Sequence, residues 1–251
     1  MMKDIISSVR RPFAAMGKRV LGSIKRVSTS QHVVSLTFDD GPHPQFTLRM
    51  LEILKQHQVR ATFFMLGKHA QKYPDIVEKV ALDGHAIGNH SWDHPSFPMI
   101  TSRERRRQIR SCGNALFSNG LRIFRPPFGH QTIRTRLDAF LLGYQVVGWE
   151  IAAEDWLDHD AHWIAERVGE QMKPGSIILF HDALATVLDE RYESREQTLE
   201  AVTILMKNIG DRFRFITIPD LLQHGRPQRE NWQRVGQEDF FNRVQEPGWK
   251  P

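Results

Sequence analysis

Short apolar runs alternate along this chain with longer segments whose apolar residues recur at helical spacing. The runs have the length of buried strands and are predicted at residues 33–38, 61–65, 85–88, 122–125, 145–148, 176–180 and 214–218. The intervening segments predict helices at residues 46–56, 74–82, 102–117, 131–142, 161–171 and 195–209. Strands that alternate with helices are typical of parallel βαβ units, whose functional residues collect at the C-terminal ends of the strands. The pattern therefore predicts an α/β fold, as a barrel or a doubly wound sheet.

Both ends of the chain depart from this alternation. Residues 1–31 interleave apolar residues with Lys and Arg at helical spacing, which predicts a basic amphipathic leader that could lie on an anionic membrane face. A surface helix or a disordered tail is the alternative. Residues 223–251 are polar and predict a tail or strapping segment, anchored by Trp232 or Trp249. The folded unit is expected over residues 32–222. Because no stretch is apolar enough to span a bilayer and no clear signal peptide is present, we expect a cytoplasmic or membrane-peripheral protein.

Charge and cysteine content narrow the class of protein further. Residues 1–31 hold seven basic residues and one acidic residue, so this leader accounts for more than the whole net charge of +5. The rest of the chain is therefore slightly acidic, and we expect no nucleic-acid partner. The single cysteine, Cys112, excludes an internal disulfide bond.

Two stretches carry residues suited to a metal site. Asp39 and Asp40 directly follow the first predicted strand, where a metal ligand could lie beside a proton acceptor, although Asp-Asp-Gly is also an ordinary turn sequence. His90 and His94 follow another predicted strand, and on a helical turn their spacing would place both imidazoles on one face. Two imidazoles and one carboxylate would form an open site for zinc, and this sulfur-free set would also accept cobalt, nickel, manganese or iron.

Three further stretches follow separate predicted strands. Arg125 begins an Arg-Pro-Pro-Phe-Gly sequence and could hold a carboxylate in a bidentate grip. Asp155 and Trp156 follow a later strand. His181 ends a buried strand, and its imidazole suits general acid chemistry because its pKa lies near the operating pH. Each stretch alone could be structural, but together they predict an active site at one rim of the sheet.

Taken in order, these stretches resemble the polysaccharide deacetylases with a NodB-homology domain, carbohydrate esterase family 4. The resemblance covers about residues 33–222 and rests on Thr37-Phe38-Asp39-Asp40-Gly41, His90-Ser91-x-x-His94, Arg125-Pro126-Pro127-Phe128-Gly129, Asp155-Trp156 and Leu179-Phe180-His181. It implies a distorted (β/α)7 barrel and metal-dependent removal of N-acetyl groups from glycans that contain N-acetylglucosamine, such as chitooligosaccharide or peptidoglycan. The expected partner is therefore an N-acetylated glycan or oligosaccharide.

The same resemblance implies roles for individual residues. Asp40, His90 and His94 would bind the metal. Asp39 would be the general base, oriented by Arg125. His181 would be the general acid, supported by Asp155. The backbone N–H of Phe128 would help to hold the oxyanion, and Trp156 and Leu179 would line the pocket for the acetyl methyl group. The metal would be divalent, with Zn²⁺ favoured over Co²⁺, Ni²⁺ or Mn²⁺.

One departure from the family pattern concerns the substrate groove, and two other functions also stay open. Many relatives carry an acid three residues before the Asp of Asp-Trp, and here that position is Ala152. A deformylase or deacylase of a lipid-linked amino sugar would suit the basic leader, which could make peripheral membrane contact. A non-catalytic glycan-binding barrel is the second alternative, and the intact set of site residues argues against it.

Overall fold

The computed structural model describes residues 22–185, 193–209 and 211–232. Its strands in chain order are β1 (Ser23–Ser28), β2 (Val33–Asp39), β3 (Thr62–Met65), β4 (Ala86–Asn89), β5 (Gly120–Phe124), β6 (Gln145–Val146), β7 (Ile151–Ala152), β8 (Ile177–His181), β9 (Arg214–Phe215) and β10 (Arg226–Glu230). Seven of them form a parallel path in the order β6-β5-β4-β3-β2-β8-β7, and β9 pairs with the start of β2. The sheet curls into an incomplete barrel, which confirms the α/β class and the distorted barrel.

Helices cover the outer face of this sheet. They are α1 (Phe46–Gln56), α2 (Gly67–Lys72), α3 (Pro74–Leu82), α4 (Ser102–Ala115), α5 (Ile133–Leu141), α6 (Ala161–Gln171), α7 (Glu196–Ile209) and α8 (Ile218–Leu221). The predicted bounds of α1, α3 and α6 are confirmed. Side-chain caps begin several helices, as where Thr101 accepts a hydrogen bond from the backbone N–H of Glu104 at the start of α4.

Strand β2 lies at the centre of the fold. All seven of its residues are buried, because both faces of this parallel sheet are covered. The ring of Phe38 stacks on Phe63 of β3 at 5.0 Å and meets Phe180 of β8 at 5.9 Å. This packing holds β2 in place against its neighbouring strands and therefore positions Asp39 at its end and Asp40 just after it.

The helical prediction for the leader is wrong for residues 23–28. These residues form β1, which pairs antiparallel with β10 and bridges to Val147 and Ser176. Ile24 and Val27 are fully buried, so tertiary pairing and burial override the helical spacing. Residues 1–21 lie outside the described residues.

The strapping prediction for the C-terminal segment is confirmed in part. Strand β10 pairs with β1, and the carbonyl of Trp232 accepts a hydrogen bond from Arg136 of α5. The Trp232 ring meets Trp149 edge-on at 4.8 Å. Trp249 lies outside the described residues.

Two short elements were not predicted, and one predicted strand ends early. Strand β7 has two residues, and α2 has six, so neither leaves a readable period in the sequence. The strand predicted at residues 214–218 ends at Phe215, because Thr217 caps α8 by accepting from the N–H of Asp220. Within the described part of the chain, no helix is both long and apolar enough to cross a membrane.

Candidate active site

Strand register brings the predicted site residues to one rim of the sheet. Asp39, the last residue of β2, is paired with His181, the last residue of β8. The last residue of β4 is likewise paired with the last residue of β5, so His90 and Arg125 emerge side by side. The carbonyl of Arg125 lies 2.8 Å from Nδ1 of His90. Because a carbonyl can only accept, the proton of a neutral His90 lies on Nδ1, and Nε2 keeps its lone pair.

Two acidic neighbours converge on this rim because of the backbone that follows β2. Asp40 has a φ of 75°, a left-handed conformation that Asp tolerates better than most residues. This conformation turns the Asp40 side chain toward the centre that Asp39 also faces. Gly41 follows with no room for a side chain, because a Cβ there would collide with the carboxylate of Asp182.

Asp40, His90 and His94 form a compact cluster of metal-ligand type. Oδ1 of Asp40 lies 3.3 Å from Nε2 of His90 and 3.3 Å from Nε2 of His94. The three residues offer ligand atoms that all lie within 4.8 Å of one another. The convergence predicted from sequence is present, but the predicted helical turn is not. His94 is instead placed by an irregular turn in which Ser91 and His94 both have positive φ and Ser91 Oγ accepts from the His94 N–H.

The state of this cluster fits a divalent cation. Oδ1 of Asp40 is buried and has no hydrogen-bond partner within the described residues. Burial by itself raises the pKa of the Asp40 carboxyl, but the His94 and His90 imidazoles outweigh it and lower that pKa overall. Burial lowers the pKa of His94 to about 3, which keeps this imidazole neutral. A charged carboxylate and neutral imidazoles are the donors that a divalent metal requires.

Asp39 is held by the buried guanidinium of Arg125. Nη1 of Arg125 donates to Oδ1 of Asp39 at 2.7 Å and to Oγ1 of Thr37 at 2.8 Å. The predicted bidentate grip is wrong, because the second nitrogen, Nη2, donates to the carbonyl of Gly148 at 2.9 Å. Oδ2 of Asp39 lies 3.7 Å from Nε2 of His90, so this second oxygen faces the metal-ligand cluster.

His181 forms an oriented pair with Asp155 at the end of β8. Nδ1 of His181 lies 2.9 Å from Oδ1 of Asp155, and the His181 backbone N–H donates to Oδ2 at 2.8 Å. Burial lowers the pKa of His181, but the adjacent Asp155 carboxylate outweighs it and raises that pKa overall. The imidazole is therefore stabilised in its protonated form, with Nδ1 occupied by Asp155.

The three residues predicted to contact substrate lie near His94 or near His181. The Phe128 ring lies edge-on to His94 at 4.3 Å, within a turn where Phe128 has a φ of 57°. The Trp156 ring lies edge-on to His181 at 5.1 Å. Leu179 precedes His181 by two residues on β8, so both side chains point to the same face of the strand. Phe128 therefore borders the metal-ligand cluster at His94, whereas Trp156 and Leu179 lie near His181.

Two residues of the site were missed by the sequence reasoning. Oγ1 of Thr198, on α7, donates to Oδ2 of Asp155 at 3.0 Å, and the Thr198 side chain is fully buried. The backbone N–H of Ala185 donates to Oδ2 of Asp40 at 2.9 Å. Neither contact leaves a signal in a single sequence, because one depends on helix packing and the other on a backbone group.

Comparisons with known proteins agree with this geometry. A protein-family model described as polysaccharide deacetylase matches residues 26–147. A chitooligosaccharide deacetylase of Azorhizobium caulinodans is 37% identical over 201 residues, which cover 77% of this chain and 95% of that relative. A peptidoglycan-N-acetylglucosamine deacetylase of Bacillus cereus is 35% identical over 199 residues, covering 78% of this chain and 70% of the relative. A solved peptidoglycan N-acetylglucosamine deacetylase, in complex with 4-naphthalen-1-yl-N-oxidanyl-benzamide, superposes with a TM-score of 0.73 at 31% identity and covers 81% of this chain and 94% of that chain.

Proposed function

The chain belongs to the polysaccharide deacetylase family, and on this premise we propose that it hydrolyses the N-acetyl groups of N-acetylglucosamine units in a glycan. One observation carries the proposal. A metal-ligand cluster, a carboxylate held by Arg125 and a carboxylate–imidazole pair meet at one rim of the sheet. Amide hydrolysis needs an activated water, a stabilised oxyanion and a proton for the leaving amine, and these groups can meet all three needs.

Asp40, His90 and His94 would hold the divalent metal. We infer Zn²⁺, since two imidazoles and one carboxylate with open positions are typical of catalytic zinc, although Co²⁺, Ni²⁺ and Mn²⁺ would be accepted. Such an ion supplies Lewis acidity, which lowers the pKa of water and polarises a carbonyl group. The Nδ1 contact of His90 with the Arg125 carbonyl orients that imidazole toward the ion.

Asp39 would act as the general base. Arg125 holds Oδ1 of Asp39, which leaves Oδ2 directed toward the metal-ligand cluster, where an attacking water would lie. As the water oxygen bonds to the acyl carbon, Asp39 takes the proton that the water loses. Because Arg125 is itself fully buried and also donates to Thr37 Oγ1 and to the carbonyls of Val147 and Gly148, it can fix the direction of the Asp39 carboxylate.

His181 would act as the general acid. Its pKa is raised by Asp155, so the imidazole carries a proton on Nε2 while Nδ1 is held by Asp155. As the carbon–nitrogen bond breaks, His181 gives this proton to the leaving nitrogen, which yields a free amine and acetate. The backbone N–H of Phe128 would help to stabilise the oxyanion, and Trp156 and Leu179 would enclose the acetyl methyl group.

The substrate is proposed from the named relatives. Those relatives are deacetylases of chitooligosaccharide and of peptidoglycan N-acetylglucosamine, so these two glycans are the first candidates. Neither the lipid-linked amino sugar nor the non-catalytic barrel is favoured by any observation. Ala152, which departs from the pattern of many relatives, is paired with Leu179 of the proposed methyl pocket, so its effect should fall on substrate preference. A cytoplasmic or membrane-peripheral location stays a prediction.

The test is release of free amine from chitin oligomers and from peptidoglycan fragments, with added zinc or cobalt and with a chelator. Acetylated xylan, followed by acetate release, tests whether the site also cleaves esters. Chelator-sensitive amine release would support the proposal and rank the two glycans. A chain that binds one metal but releases amine from neither glycan would contradict it.

A further inference from the structure

Helix α5 carries an apolar stripe that faces away from the protein. Its large residues are 42–62% exposed, and they are Ile133, Leu137, Phe140 and Leu141. Their spacing of three and four residues places them on one face of the helix. The opposite face is buried and includes Thr135 and Ala139. Four of the seven large hydrophobic side chains that are exposed in the described residues therefore belong to this one nine-residue helix.

Helix α4 adds a row of arginines beside this stripe. Arg103, Arg107 and Arg110 are exposed at helical spacing, and Arg134 is exposed on α5 itself. The two helices are joined through the buried Asp138 of α5, which accepts from Arg105 Nε at 2.7 Å and Ser102 Oγ at 2.5 Å. We name the outer faces of these two helices the α4–α5 surface.

We propose that the α4–α5 surface binds an anionic lipid membrane. The apolar side chains of α5 would enter the interface, and Arg103, Arg110 and Arg134 would contact lipid phosphates. The acidic groups of the two helices do not oppose this contact. Asp138 is buried, and Glu104 is held by Arg107 through Nε at 2.8 Å.

The attachment of the basic N-terminal segment favours a membrane over a protein partner. Residues 1–21 hold Lys3, Arg10, Arg11, Lys18 and Arg19 against one acid. Oγ of Ser23 donates to Oε1 of Gln131, which lies just before α5, so this segment joins the described chain at the N-terminal end of the apolar stripe. The positive charge of this sequence would add to that of the α4–α5 surface in attracting an anionic membrane. This inference goes beyond the proposed deacetylation and does not depend on it.

The first test replaces the apolar stripe. The full chain is sedimented with vesicles of phosphatidylglycerol and phosphatidylcholine in equal parts, and with pure phosphatidylcholine vesicles. The double variant Leu137→Glu/Phe140→Glu should partition at least roughly tenfold more weakly into the anionic vesicles. Leu82→Glu on α3 is the matched control, because Leu82 is 79% exposed and lies outside the α4–α5 surface, and it should bind like the original chain.

The second test removes charge. The triple variant Arg103→Gln/Arg110→Gln/Arg134→Gln should bind more weakly by roughly fivefold for each arginine, on the order of 100-fold in all. Binding of the original chain should also fall as salt is raised. A matched control neutralises three exposed lysines elsewhere and should bind like the original chain: Lys55→Gln, Lys173→Gln and Lys207→Gln.

Several outcomes would overturn the proposal. One is an original chain that fails to bind anionic vesicles or binds neutral ones equally well. Another is unchanged binding by both α4–α5 variants, which would assign the membrane contact to other parts of the chain. A lipid-free dimer that Leu137→Glu/Phe140→Glu dissociates would assign the surface to a second copy instead. Unchanged thermal unfolding of each variant establishes that the fold is intact.

Discussion

Replacing Asp155 with Asn tests the general-acid assignment most directly. The Asp155 carboxylate is fully buried and receives the His181 backbone N–H, the Thr198 hydroxyl and Nδ1 of His181, all at 2.8–3.0 Å. An Asn side chain keeps one acceptor oxygen but presents an NH₂ group in place of the other. Because an NH₂ group cannot accept from Nδ1–H and carries no negative charge, the variant loses the counter-charge of the imidazolium.

The size of the effect follows from this geometry. Removing one partner of a buried ion pair leaves an uncompensated charge at a cost of about 3–5 kcal/mol. Burial without Asp155 lowers the pKa of His181, whereas in the original chain Asp155 raises it. The acid must be protonated to work, so activity falls as pH rises through the His181 pKa, and this fall should occur at lower pH in Asp155→Asn. Near neutral pH we expect kcat to drop by about 100-fold to 10,000-fold, the range that general acid–base catalysis contributes.

The measurement is kcat against pH on a chitin oligomer at saturating metal. Metal content per chain should be unchanged, because Asp155 lies outside the proposed ligand set. Asp158→Asn replaces a neighbouring exposed carboxylate and serves as the control. A loss of less than tenfold, with the alkaline limb of the pH profile in its original place, would refute the role of the Asp155–His181 pair.

Four further predictions test other parts of the site. Asp39→Asn should keep its metal yet lose about 100-fold or more of kcat, and full activity would make the base assignment wrong. Chelation should abolish amine release and added zinc or cobalt should restore it; activity that persists in chelator, with no metal found by elemental analysis, would contradict the metal proposal. Thr198→Val removes one hydrogen bond to the charged Asp155 carboxylate and should lower kcat about tenfold at unchanged metal content, with Thr198→Ser restoring most of it. Gly41→Ala forces a Cβ against the Asp182 carboxylate and should lower the free energy of unfolding in urea by about 1–3 kcal/mol, whereas an unchanged midpoint would show that the loop can move aside.

The local sequence pattern alone determined several strands and helices of this protein and the rim at which its site residues lie. The buried run before Asp39 predicted β2, and helical periodicity predicted α1, α3 and α6 at their observed bounds. Because the site residues each follow a strand, the parallel arrangement alone placed them at one rim. Asp40, His90 and His94 could therefore be proposed as neighbours from sequence, and the structure brings them together.

The features that only the tertiary structure decided depend on contacts between distant parts of the chain. Residues 23–28 have helical spacing but form β1, because β10 supplies a strand partner. Arg125 donates to Asp39 through Nη1 only, because Nη2 donates to the carbonyl of Gly148. Thr198 reaches Asp155 only because α7 packs against the site. The periodicity of apolar residues indicates which face of a helix or strand is buried, but not which distant group contacts that face. The geometry of this site is set by those contacts.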